Sequence, residues 1–157
     1  MKNVFFYQTA IGKIGIAEDG NAITNVYFKE NFVPENTEIL ETPLLKEAGQ
    51  QIKDYLEGKR KSFEIPLVLD GTEFQQNVWK ALQKIPFGEI RSYREIAKNI
   101  GRPQSSRAVG MANSKNPILI FIPCHRVIGA KGNLVGYAGG LDVKAYLLQL
   151  EKQYANS

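Results

Sequence analysis

The chain is poorest in the two residues that most often carry chemistry. It has one cysteine, Cys124, and one histidine, His125. A lone cysteine excludes an intramolecular disulfide and points to an intracellular, cytoplasmic setting. The first half holds neither residue, which excludes a Cys/His metal site there. Long apolar runs are absent too, and none reaches the roughly 20 residues that a spanning helix needs, so no membrane role is expected. The opening stretch MKNVFFYQTAIGK lacks the apolar core and small-residue cleavage site of a secretory signal and reads as a first strand.

What remains is a chain of 157 residues, 43% apolar, able to bury one core or two small ones. Its charge is unevenly divided. Residues 1–70 carry eight Lys/Arg against eleven Asp/Glu, a net −3; residues 71–157 carry twelve against five, a net +7. The basic half is also the half with Cys124 and His125. A basic module joined to an acidic one suggests a polyanionic partner for the basic part, the plainer alternative being a solvated face.

The first half reads as a small α/β domain over residues 1–70. NVFFYQT is extended and aromatic. IGKIGIAEDGNAITNVYF divides into two strands at Asp19-Gly20, a hairpin turn signal. TPLLKEAGQQIKDYLEG is a helix, with Thr42 to cap it, Pro43 in its first turn and Gly58 to end it. KSFEIPLVLDG is expected to return as a strand.

The second half, residues 71–157, reads as mainly helical. Thr72 and Gln75 stand at capping-box spacing ahead of a helix that stops before Pro86; Ser92 and Glu95 repeat the device ahead of Tyr93–Ile100. Gly101 ends that helix, and Pro103 is expected to start another that finishes before Asn116-Pro117. Helix, short Gly-containing turn and helix form a helix-turn-helix pattern. In the second of these helices, SSRAVGMAN, small side chains permit close approach to a partner and Arg107 projects furthest. Ile118 to Ile122 is an apolar run that must be buried, so Cys124 follows a segment fixed by packing. GAKGNLVGYAGG has five glycines in twelve residues and reads as a loop or wing. LDVKAYLLQLEKQ closes the chain as a helix.

A thiol of ordinary pKa, ~8.5, is only a few per cent thiolate at neutral pH and needs a base or a positive field to become a nucleophile. His125, Arg126 and nearby helix ends are the available sources. On a strand, adjacent side chains face opposite ways, so a bridging water is the expected link between Cys124 and His125. The imidazole needs an acceptor to orient it, and Asp142 and Glu151 are the candidates. The alternative is a buried thiol beside an incidental imidazole.

IPCHRVIG, preceded by SYREIA, RAVG and NP and followed by GYAGG, resembles the signature of the O6-alkylguanine-DNA alkyltransferases, the methylated-DNA–protein-cysteine methyltransferases. The resemblance is close over residues 72–152. It implies a ribonuclease-H-like N-terminal domain and a C-terminal domain with a winged helix-turn-helix that enters the DNA minor groove. It implies a monomeric DNA-repair protein, cytoplasmic or with the DNA in nucleoid or nucleus. Its partner is duplex DNA carrying an alkylated guanine, and O4-alkylthymine stays an open second substrate. The nucleotide is flipped out and its alkyl group moves once, irreversibly, onto the protein, without cofactor or metal.

By position, Cys124 resembles the acceptor, His125 the water-relay base, Glu151 its orienting carboxylate and Asn116 the hinge that links recognition helix to site. Tyr93 resembles the tyrosine that turns the phosphate and meets the base edge. Arg107 resembles the arginine that fills the vacated space, and Val127 and Tyr137 would wall the pocket. Ala138 departs from relatives that carry serine there, where a backbone N–H can serve the guanine oxygen instead. Two competing readings are an acyl-transfer cysteine enzyme, which leaves the basic helix-turn-helix unexplained, and a non-catalytic damage sensor or winged-helix regulator.

Overall fold

The computed structural model describes residues 2–28, 33–129 and 132–156. The chain divides into two compact units, Met1–Leu69 and Asp70–Ser157.

The first unit is a four-stranded sheet with one helix. Strands β1 (Lys2–Thr9), β2 (Gly12–Glu18), β3 (Ile23–Tyr27) and β4 (Thr37–Ile39) lie in the order β3-β2-β1-β4. β1, β2 and β3 form an antiparallel meander, and the Asp19-Gly20 turn falls where the sequence places it, with Asp19 accepting hydrogen bonds from the N–H groups of Asn21 and Ala22. Helix α1 (Pro43–Leu56) begins with the Thr42 hydroxyl accepting from Leu45 N and buries Leu45, Ala48, Ile52, Tyr55 and Leu56. At Gly49 the helix passes so close to Tyr7 that a Cβ would lie 2.8 Å from the ring.

Two expectations are corrected here. β4 is a strand that the sequence conceals: Thr37, Glu38 and Ile39, paired parallel to β1, are too few to carry an alternation to read. Conversely, KSFEIPLVLDG is not a full strand. It makes one bridge, Ile23 to Leu67, closed by Ile23 N→Pro66 O (2.8 Å) and Val68 N→Ile23 O (3.0 Å). Pro66 has no N–H to extend the ladder.

The second unit contains α2 (Glu73–Gln83), β5 (Arg91–Ser92), α3 (Tyr93–Asn99), α4 (Ser106–Ser114), β6 (Val127–Ile128) and α5 (Leu141–Tyr154). Both capping boxes are present, at Thr72/Gln75 and at Ser92/Glu95. α3 and α4 pack together as the helix-turn-helix. α4 starts three residues later than Pro103 suggested. Pro103 occupies the second position of a turn closed by Ser105 N→Arg102 O (2.9 Å), the place its fixed φ favours. α2 packs on α4 through Trp79, whose indole N–H donates to the Ala112 carbonyl (2.9 Å) deep in the core. Of the wing expected over 129–140, Ala130 and Lys131 lie outside the described residues. Among the described residues no helix is long and apolar enough to cross a membrane.

Ile118–Ile122 is buried, as its composition requires, but it is coiled rather than extended. Phe121 N donates to Leu119 O (2.9 Å) across Ile120, whose φ is +76°. A β-branched residue in the left-handed region stores about 1–3 kcal/mol of strain. Burial of five consecutive large side chains holds it. Replacement of Trp79 by Phe keeps most of the packing but leaves the buried Ala112 carbonyl without its donor. Trp79→Phe is expected to lower unfolding free energy by about 1–3 kcal/mol in urea titrations.

Candidate active site

Cys124, His125 and Arg126 form a single 3-10 turn that ends in β6. This replaces the strand expected there. Pro123 and the Cys124 N→Ile122 O bond (2.7 Å) curl the chain as it leaves the strained coil, so the three side chains fan inward and all are buried. β5 pairs parallel with β6, Arg91 with Val127 and Ser92 with Ile128. That short ladder brings Tyr93, the first residue of α3, beside the turn.

Glu151, on the third turn of α5, is the hub. Its carboxylate accepts from Arg126 Nε (2.8 Å), Arg126 Nη2 (3.0 Å) and Gly88 N (3.2 Å) and lies 2.7 Å from His125 Nε2. Arg126 Nη1 continues to the Ile85 carbonyl (2.7 Å). The structure thus decides between the two acidic candidates, since Asp142 is exposed in the first turn of α5. Burial alone would push the Glu151 carboxyl up, but hydrogen bonds and charge from His125 and Arg126 outweigh it and bring the pKa to about 2. Burial pushes His125 down, with the charges of Arg126 and Lys144 adding to it and Glu151 opposing. His125 is therefore neutral near pH 7, and Glu151 stays ionised beside the guanidinium. With Nε2–H donated to Glu151, the lone pair of the imidazole sits on Nδ1.

Around the thiol, burial raises Cys124 to about 11, against a hydrogen bond from Asn116 and the positive charge of Lys144. Asn116 also clips the coil, accepting from Ile118 N (2.9 Å) and donating to Ile122 O (2.8 Å). Burial and a negative charge at Cys124 both raise Tyr93 and Tyr137, so both hydroxyls remain protonated. Tyr137 stands edge-on to His125, centroids 6.5 Å apart, with its hydroxyl buried. Tyr93 Oη meets the Val135 carbonyl at 3.5 Å. Val127 is wholly buried, whereas Arg107 and Ala138 are exposed.

The residues expected from the sequence therefore separate. Cys124, His125, Glu151, Asn116, Tyr93 and Tyr137 gather about one thiol, with Val127 three residues beyond it in the chain; Arg107 and Ala138 lie at the surface of α4 and of the glycine-rich segment. Three more residues belong to the site. Arg126 was legible only as a source of charge, not as the clamp on Glu151. Lys144 is fully buried, and its ammonium donates to the carbonyls of Val135 (2.8 Å) and Gly136 (3.4 Å). A lysine in an ordinary amphipathic helix gave no signal of that. Asn113 is buried on α4, one helical turn before Asn116, a spacing that could have been read.

These shifts fix the pH dependence of stability. His125 is depressed in the fold, so its contribution is complete above 6.5 and lost as pH falls. Glu151 contributes fully above 4.5 and loses this as pH falls towards about 2, while Cys124 contributes fully below 9.0 and loses this as pH rises towards about 11. Unfolding free energy is expected to plateau between pH 6.5 and 9.0 and fall on both sides. Glu151→Gln is expected to flatten the limb below pH 4.5 and to destabilise the protein at pH 7 by about 3–5 kcal/mol, because Arg126 is left buried without a counter-charge. Urea unfolding across pH measures both.

Comparison with known proteins shows the family. Residues 73–153 match the family described as 6-O-methylguanine DNA methyltransferase, DNA binding domain, and residues 5–69 match its ribonuclease-like domain. The chain is 50% identical over 149 residues to the methylated-DNA–protein-cysteine methyltransferase of Methanosarcina acetivorans, covering 92% of this chain and 95% of the relative. It is 48% identical over 152 residues to the constitutive enzyme of that name from Bacillus subtilis, covering 92% of each. The crystal structure of Mycobacterium tuberculosis OGT in complex with DNA superposes with a TM-score of 0.91 at 44% identity, over 97% of this chain and 94% of that one. With both units matched and close relatives spanning nearly its whole length, the chain belongs to the 6-O-methylguanine DNA methyltransferase family.

Proposed function

We propose that the protein repairs DNA by moving the alkyl group of O6-alkylguanine onto Cys124, once per molecule. The observation that carries the reading is the buried Cys124–His125–Glu151–Arg126 assembly beside a basic helix-turn-helix: a thiol, a neutral base and an ionised carboxylate buried within one turn and one helix. Relatives named methylated-DNA–protein-cysteine methyltransferases, nearly half identical along the chain, support it.

An alkyl group on a base edge cannot be reached inside the stack, so the nucleotide must be everted at a cost of a few kcal/mol. Arg107, exposed near the start of α4, is placed to fill the vacated space, and the small residues around it permit close approach to the minor groove. The net +7 of residues 71–157 supplies sequence-independent attraction to phosphates. An action on chromosomal DNA places the protein in the cytoplasm or nucleoid. The thiol is only 2% exposed, so it meets a base only once that base has been everted into the protein.

In the resting site the proton stays on sulfur, because burial raises the thiol and lowers the imidazole. Asn116 and Lys144 both favour the thiolate, and His125 Nδ1 takes the proton through a bridging water as the base arrives. The thiolate attacks the alkyl carbon, the carbon–O6 bond breaks, and the guanine leaves with a proton supplied through Tyr93 or a backbone N–H of the glycine-rich segment. Val127 and Tyr137 wall the pocket, and the backbone at Ala138 offers the contact that a serine hydroxyl would otherwise supplement. The thioether product is inert to water, so each molecule acts once.

Two measurements test this. Mixed with a duplex containing one O6-methylguanine, the intact protein is expected to gain about 14 Da, the mass of a methyl replacing hydrogen on sulfur, and Cys124→Ser to gain none while still binding. An unchanged mass with tight binding would instead assign a damage sensor. Arg107→Ala is expected to slow transfer from duplex by about tenfold or more yet leave reaction with free O6-benzylguanine near wild type. Equal loss on both substrates would remove the insertion role.

A further inference from the structure

β1 is an interior strand of its sheet only over its first half. Lys2, Asn3 and Val4 pair with β4, and after the last bond of that ladder, Leu40 N→Val4 O (3.0 Å), the chain leaves for α1. On the other side β1 pairs with β2 without interruption as far as Thr9. Among the described residues nothing pairs with β1 beyond Val4 on the β4 side. Val4 directs its carbonyl to that side, so alternation along the strand directs the N–H and C=O groups of Phe6 and Gln8 there as well. They continue a ladder that β4 begins and leaves open. Native proteins guard such an edge with proline, a charge on the strand or a bulge. Residues 5–9 have none of these: all are uncharged, none is proline, and their register with β2 is unbroken. A cavity of about 330 Å³ adjoins the edge instead, lined by residues 6–9 of β1 and by Lys46, Gln50 and Lys53 of α1. Both lysines are exposed, and among the described residues neither forms an ion pair. The carboxylate at the rim, Glu41, accepts from the Tyr7 hydroxyl (2.7 Å).

We propose that this groove takes an extended, acidic segment of a partner protein, which adds to the sheet beside β1 where β4 stops. Main-chain hydrogen bonds to Phe6 and Gln8 supply the attachment, and side chains at alternate positions supply the selectivity. α1 covers the face of the sheet on which Tyr7 lies, since Gly49 abuts that ring. Every second side chain of the added strand therefore points towards α1, where carboxylates meet Lys46 and Lys53. The intervening side chains lie on the other face, beside Phe6 and Gln8, where β-branched apolar residues fit a strand. The partner is thus marked by alternation of acidic and β-branched residues. The site belongs to the first unit alone and is independent of the chemistry at Cys124.

The probe is an end-capped, fluorescein-labelled peptide, Val-Glu-Val-Glu-Val-Glu, titrated with the whole protein and followed by anisotropy, with amide hydrogen exchange read in parallel. It is expected to bind and to slow exchange at the Phe6 and Gln8 amides by about tenfold or more. A copy N-methylated at every residue, which lacks the main-chain donors, is expected to bind about tenfold or more weakly. Val-Lys-Val-Lys-Val-Lys is expected to lose as much through repulsion by the two lysines. Lys46→Glu combined with Lys53→Glu is expected to reverse the preference between the acidic and basic peptides. Absence of binding, equal binding of the N-methylated or basic peptide to wild type, or protection confined to other amides would overturn the proposal. These comparisons use wild type, so the test holds if the double variant does not fold. A dimer in sedimentation velocity that the peptide dissociates would overturn it in favour of a second copy of the chain. Displacement of the peptide by undamaged duplex DNA would overturn it in favour of a nucleic-acid surface.

Discussion

The second unit depends on one buried carboxylate. Glu151 is 1% exposed, and a lone carboxylate in that position would neutralise itself. It stays ionised because donors from two other parts of the chain converge on it: the imidazole and guanidinium of the 3-10 turn, and the backbone N–H of Gly88 from the loop after α2. Arg126 extends the link to Ile85 on that same loop. A charge buried this way adds little net stability against a hydrophobic replacement, but removal of either partner strands the other. Such an arrangement is better explained by what it fixes. It sets the tautomer and the direction of His125, and it locks α5 to the turn that carries Cys124.

From this hub the site is built outwards in two directions. On one side, the coil at Ile118–Ile122 is held in a strained form by its own burial and by the Asn116 side chain, which ties both its ends and also reaches the thiol. Recognition helix and nucleophile are therefore joined by a short rigid path. On the other side, Lys144 sends its ammonium to the carbonyls of Val135 and Gly136, next to Tyr137. Glycine-rich backbone has little packing to position it, and a buried cation bound to two carbonyls provides an anchor. The same charge lies close enough to Cys124 to favour a thiolate.

Burial is what makes the resting chemistry quiet. It raises the thiol and lowers the imidazole, so the pair rests as neutral thiol and neutral base. A protein that reacts once gains from a nucleophile that stays protonated until its substrate arrives. The arrangement separates two tasks. In the proposed function, α4 and the basic surface would find and hold DNA, while burial keeps the sulfur from adventitious electrophiles.

Much of this was legible in the sequence. Capping boxes, the Asp19-Gly20 turn and helical periodicity are local signals, and they marked α1, α2, α3, α5 and the first three strands, because short-range sterics and hydrogen bonds decide them. The single Cys and His, set in IPCHRVIG, were legible as a candidate nucleophile and base through the resemblance that the motif carries. What failed was non-local. β4 exists only because β1 offers it an edge, and Pro66 breaks a strand only because the neighbouring ladder needs its missing N–H. Asp142 and Glu151 are equivalent acids on one helix in sequence; the packing of α5 buries one and exposes the other. Lys144 and Asn113 acquired their places in the same way. Sequence alone determined which groups could react. Tertiary structure decided which of them meet, because burial and convergence from distant segments set both the pKa values and the partners.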